Sequence, residues 1–121
     1  MAQGRLLILD DDATVGQVLL MGAQVSGFEA RHCTEVEAFF EALAGWPPSH
    51  VAIDLTLPGT SGVQVLQRLA AAGCRARVLI CSGAGAAELA AALAETRVLG
   101  LDGAGVLPKP FALAALRQLL A

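Results

Sequence analysis

Arg5–Asp12 reads RLLILDDD, four consecutive bulky apolar residues that stop on three carboxylates. A strand with one wet face alternates apolar and polar residues, whereas a short unbroken apolar run is a strand covered on both faces. That is the condition of a strand in a parallel sheet with helices on either side. The acids then mark its carboxyl end.

Outward along the chain, the same kind of run recurs. His50–Asp54 (HVAID) ends on an acid, Arg77–Cys81 (RVLIC) leads into Ser82, and Ala104–Leu107 is followed by Lys109. Phe28–Cys33 supplies another strand. The segments between have helical signals. Residues 13–26 place Val15, Val18, Leu19, Gly22 and Val25 on one helical face, closed by Gly27. Thr34 and Glu37 have the spacing of a capping box before Phe39, Phe40 and Leu43. Trp46-Pro47-Pro48 is a rigid connector, with Trp46 expected to shield a loop. Leu55–Ser61 reads as a loop before a helix over 62–72, an Ala-rich helix runs to about Arg97, and Leu113, Leu116 and Leu120 are expected to face inward from a last helix. The alternation is (βα)5, a doubly wound α/β fold in a single domain over residues 1–121.

Of the 121 residues, 55% are hydrophobic and 16% charged, which favours a compact globule over disorder. The net charge of -3 and scattered cations argue against direct nucleic-acid binding. Cys33, Cys74 and Cys81 lack CxxC spacing and lie in or beside apolar runs, so reduced, buried thiols in a cytoplasmic protein are expected. No export signal and no membrane span is read from the sequence.

In an open parallel sheet the carboxyl ends of the strands share one edge, so Asp10, Asp11, Asp54, Ser82 and Lys109 converge there. Two or three carboxylates side by side repel one another unless a cation holds them ionised. Mg2+ suits them, because it takes oxygen ligands from one or two carboxylates and phosphate oxygens. Lys109 and Ser82 supply a positive charge and a hydroxyl for a phosphoryl group, and Gly83 leaves room for it at a backbone amide. Lys109 precedes Pro110, where a cis bond would aim the amine back into the site, although trans is the usual state.

These residues resemble the receiver domains of bacterial response regulators, the CheY-like family. The resemblance covers essentially the whole chain: Asp10-Asp11-Asp12, Asp54 with Pro58-Gly59 and Gly62 after it, Ser82-Gly83, and Lys109-Pro110-Phe111. It implies a flavodoxin-like sheet of strand order 2-1-3-4-5, with Asp54 as phosphoacceptor. It also implies Mg2+ held by Asp11, Asp54 and the Thr56 backbone carbonyl, with Asp10 acting mainly through a bound water. Ser82, Gly83 and Lys109 would receive the phosphoryl oxygens, and Ser82 and Pro110 would belong to the switch. A sensor histidine kinase or phosphotransfer protein would be the phosphodonor. The implied activity is that of a switch with slow autodephosphorylation rather than an enzyme. The chain reads either as a stand-alone receiver or as the front of a longer protein with an output domain beyond Ala121, and the Ala- and Leu-rich residues 86–94 suggest packing on a partner or second subunit, such as a homodimer through the fourth-helix to fifth-helix face.

The chain departs from the family pattern twice. Val106 stands where a Tyr or Phe usually relays the switch, and the 27 positions from Ser82 to Lys109 (109 - 82) exceed the usual spacing, with Leu99–Gly103 as the extra material. Both place an atypical region on the usual output side. They also motivate a competing reading, a receiver-like interaction module that works without phosphorylation. A second competitor comes from Asp10, Asp12, Thr14 and Val15, which fit the DxDxT[VI] motif of haloacid dehalogenase phosphatases with Asp10 as nucleophile. That family's later acidic pair is missing, since Asp102 stands alone.

Overall fold

The structure, a computed structural model, describes residues 3–121. In chain order its elements are β1 (Gly4–Leu9), α1 (Ala13–Val25), β2 (Phe28–Cys33), α2 (Val36–Gly45), β3 (His50–Ile53), β4 (Thr56–Leu57), β5 (Thr60–Ser61), α3 (Gly62–Ala71), β6 (Arg77–Ser82), α4 (Ala86–Val98), β7 (Asp102–Pro108) and α5 (Leu113–Leu120). Five strands form one sheet in the order β2-β1-β3-β6-β7, and every pairing in it is parallel. Counted by principal strands, this is the expected order 2-1-3-4-5.

Side chains alternate across the pleat and build a core on each face of the sheet. Leu7, Leu9, Val51, Ile53, Val78 and Ile80 pack toward Phe39 of α2, Leu66 and Leu69 of α3 and Leu89 of α4. Leu6, Ile8, Ala52, Leu79 and Cys81 pack toward Leu19 of α1 and Leu116 and Leu120 of α5. Both faces of β1 are therefore dry, as RLLIL requires. Each fully buried leucine contributes about 1.5–3 kcal/mol relative to an exposed one.

Several local expectations are corrected. The buried face of α1 is Gly16, Leu19, Gly22 and Ala23, whereas Val18 and Val25 are exposed. Thr34 does not cap α2; Glu35 occupies that position without a side-chain cap, and Glu37 is drawn to Arg68 of α3 at 2.8 Å. The loop over 55–61 contains the antiparallel hairpin β4–β5. Leu113 is half exposed, and Trp46 is buried in the core beneath the guanidinium groups of Arg31 and Arg5. Leu99–Gly103 forms the turn after α4 and the start of β7, and the register against β6 then shifts at Gly103–Gly105, leaving Ala104 unpaired. The three thiols are free, with Cys81 buried and Cys33 and Cys74 half-buried. Burial pushes the Cys81 thiol up to about 12.

Candidate functional site

Four adjacent strands deliver their last or next residues to one edge. Asp10 follows β1, Asp54 follows β3, Ser82 closes β6 and Lys109 follows β7. The backbone ladder continues one residue past the strands. Asp54 N donates to Leu9 O at 3.0 Å, Lys109 N to Ser82 O at 2.9 Å and Asp10 N to Cys33 O at 3.1 Å. These bonds fix the Cα positions from which the functional side chains project.

Lys109 Nζ donates to Asp10 Oδ2 at 2.8 Å and to Asp54 Oδ2 at 3.2 Å. The other carboxylate oxygens are taken by backbone amides, Asp12 N on Asp10 Oδ1 and Thr56 N on Asp54 Oδ1, each at 2.9 Å. Asp10 and Asp54 are buried, so these four bonds orient two carboxylates largely withdrawn from water. Burial alone would favour a neutral Lys109. The hydrogen bond and charge of Asp10, joined by Asp54, outweigh it and hold the ammonium above its ordinary value.

Asp11 stands beside them, exposed, and each of Asp10, Asp11 and Asp54 offers a carboxylate oxygen within 4.8 Å of the others. Three carboxylates against one ammonium leave the cluster formally two charges negative at neutral pH. A hard divalent cation balances that excess, and an all-oxygen donor set is the kind Mg2+ takes. The residues present fit the ion.

Ser82 is fully buried; its Oγ accepts from Ala84 N at 3.2 Å and lies 3.4 Å from Thr56 Oγ1. Gly83 has open space where a Cβ would stand and no positive φ, so neither packing nor backbone conformation demands glycine there. The Lys109–Pro110 bond is cis. Val106 pairs with Ile80 and packs half-buried against the core beneath α2, α3 and α4.

Three features escaped the sequence reading. The Thr56 hydroxyl meets Ser82, a contact that the sequence does not signal. His32, assigned no role, places Nε2 2.8 Å from the Asp10 carbonyl and pins the β1–α1 loop. Ser61 caps α3 in a reciprocal capping box with Gln64. That last feature was legible as Ser-x-x-Gln ahead of an amphipathic run; the first two depend on contacts between distant segments and left no local signal.

The sequence pattern of the response regulator receiver domain matches residues 6–121. The chain belongs to that family. As a receiver domain it shares 36% identity over 84 residues with the transcriptional regulatory protein QseB of Escherichia coli O157:H7, covering 69% of this chain and 38% of that protein. With the transcriptional regulatory protein FixJ of Bradyrhizobium diazoefficiens it shares 30% over 87 residues, covering 72% and 42%. The receiver domain thus spans about two fifths of the length of these relatives. In fold it is similar to the chemotaxis response regulator CheY4 of Vibrio cholerae, with a TM-score of 0.81, 19% identity and coverage of 99% and 96% of the two chains. It is also similar to a Clostridium thermocellum receiver domain, with a TM-score of 0.82, 20% identity and coverage of 99% and 91%. A receiver fold carrying this acidic cluster is a phosphoaccepting signal switch rather than a classical enzyme. No helix among the described residues is long and apolar enough to cross a membrane.

Proposed function

We propose that Asp54 accepts the phosphoryl group and that Asp10, Asp11, Ser82 and Lys109 serve it. The observation that carries this assignment is the Lys109 ammonium bridging Asp10 and Asp54, with Thr56, whose amide is bonded to Asp54, carrying its hydroxyl to Ser82. Thr56 N holds Asp54 Oδ1, so the same residue orients the nucleophile and reaches the hydroxyl that receives a phosphoryl oxygen.

In the reaction an Asp54 carboxylate oxygen forms a bond to phosphorus in line with the departing group. The P–N bond of a phosphohistidine breaks, and the imidazole leaves with the electron pair. Lys109 offsets charge gathering on the phosphoryl oxygens, and Ser82 and the Gly83 amide donate to them. Asp11, Asp54 and the Thr56 carbonyl, with Asp10 acting through water, would hold Mg2+, which would supply the charge neutralisation that three acids and a phosphoryl group need together. The acyl phosphate adds a charge of about -1.5 to -2 beside Ser82, which draws the Ser82–Gly85 loop toward it. Water attacking phosphorus returns the carboxylate and releases inorganic phosphate.

The donor is a sensor histidine kinase or a phosphotransfer protein acting in the cytoplasm. The relatives are transcriptional regulatory proteins longer than this chain, which supports an output domain joined after Ala121. Intact-mass spectrometry after incubation with acetyl phosphate and Mg2+ tests the assignment. The wild type gains one phosphoryl group, Asp54→Asn gains none, and Asp10→Asn retains Asp54 as the modified residue at lower yield. A label retained in Asp54→Asn and lost in Asp10→Asn would overturn it.

A further inference from the structure

Between α3 and α4 runs a groove of about 400 Å³, with Leu55, Val63 and Ala91 in its apolar wall and Glu88 and Glu95 as its charged side chains. The two glutamates stand seven positions apart, two turns of α4 on one face. Neither has a salt-bridge partner among the described residues. Glu88 sits in the first turn, where the helix dipole favours an acid, but Glu95 sits in the last turn, where the dipole opposes one. Helix stability therefore accounts for the first and not for the second.

The groove is tied to the phosphorylation site by the chain itself. Leu55 directly follows Asp54, and the first residue of α3, Gly62, lies so close that a Cβ there would stand 2.9 Å from Leu55 Cα. Leu55 thus packs directly between Asp54 and the start of α3.

We infer that this groove is an output surface of the domain and that its occupant is a basic amphipathic helix of a partner protein. Such a helix presents two cations two turns apart, matching Glu88 and Glu95, and apolar side chains between them for Leu55, Val63 and Ala91. A second copy of this chain does not meet that description. Its helices carry at most one cation each, Arg68 in α3, Arg97 in α4 and Arg117 in α5, with none in α1 or α2. The coupling to phosphorylation rests on Asp54 as phosphoacceptor. A partner that binds one state of Leu55 better than the other shifts the balance between them by that difference in affinity.

The test uses the whole chain and an alanine-based helical peptide with two lysines seven positions apart and leucines between, titrated by NMR with and without beryllofluoride and Mg2+. Shifts are expected at Leu55, Val63 and Ala91, with affinity changing several-fold on beryllofluoride addition. Glu88→Lys with Glu95→Lys should weaken binding about tenfold, and a peptide with glutamates in place of the lysines should regain it on that variant. Shifts centred elsewhere, no rescue by the charge swap, or equal affinity with Asp54 modified and free would overturn the inference. Modification of Asp54 is read separately by mass. Absence of the acyl phosphate while the swap still works would remove the phosphoacceptor assignment and the coupling, leaving the groove's preference for a basic helix standing.

Discussion

Lys109 Nζ is held closer to Asp10 than to Asp54, at 2.8 Å against 3.2 Å. The tighter bond goes to the residue proposed to stand behind the metal, and the looser one to the proposed nucleophile. A phosphoryl group arriving at Asp54 can therefore draw on the ammonium without first breaking its stronger contact. Among the described residues the same lysine is the only cation paired with a cluster of three carboxylates, two of them buried.

Replacing it should consequently affect stability as well as chemistry. Lys109→Met leaves Asp10 and Asp54 buried with their backbone hydrogen bonds alone. The expected loss is about 3 kcal/mol in chelator, because breaking a buried ion pair strands the charge that remains. Added Mg2+ should restore much of it by neutralising the same carboxylate cluster. Urea denaturation in EDTA and in Mg2+ measures both; equal destabilisation in the two buffers would show that the lysine acts by packing rather than by charge.

The ends of β1, β3 and β6 were legible because each closes a short apolar run that reads as a buried strand, whereas β7 before Lys109 is mostly half-buried. The inward face of α1 was not legible. Residues 13–25 carry no charge at all, so hydrophobicity selects no face. Size selects it instead: Gly16 and Gly22 turn inward where His32 and Leu116 come close, and the larger Val18 and Val25 are left outside. The unused Thr34–Glu37 pattern has a similar cause. Glu37 finds Arg68 on α3, a partner far away in sequence, in place of the amide at its own helix start.

His50 gives a pH dependence with a definite sign. It is buried at the start of β3, edge-on to Phe28, with Nδ1 2.9 Å from Ser49 Oγ and Nε2 lacking a hydrogen-bond partner among the described residues. Burial pushes its pKa down, Arg77 adds to the effect, and Asp102 opposes it. The unfolded chain then takes up a proton below about pH 6.5 that the folded chain refuses, so this stability is complete above that value and is lost as pH falls through the lower folded pKa. His50→Phe keeps the aromatic contact and removes both the proton and the orphaned nitrogen. The variant should match or exceed wild-type stability at neutral pH, and its urea midpoint should fall less steeply between about pH 6.5 and pH 5. Parallel curves for the two proteins would exclude a role for His50.

Gly16 and His32 offer a test in which the sign of one substitution reverses with its background. A Cβ on Gly16 would collide with the His32 ring, which is itself bonded to the Asp10 carbonyl. Gly16→Ala should therefore destabilise the wild type by about 1–3 kcal/mol, the usual range for overpacking, and should weaken Mg2+ binding by freeing the loop that carries Asp10 and Asp11. With His32→Ala the obstruction is gone, and the ordinary helical preference for alanine over glycine, about 0.5–1 kcal/mol, should make Gly16→Ala stabilising. A double-mutant cycle by urea denaturation reads the coupling directly. If Gly16→Ala has the same effect in both backgrounds, the ring does not constrain α1 and the Asp10 loop is held by its backbone bonds alone.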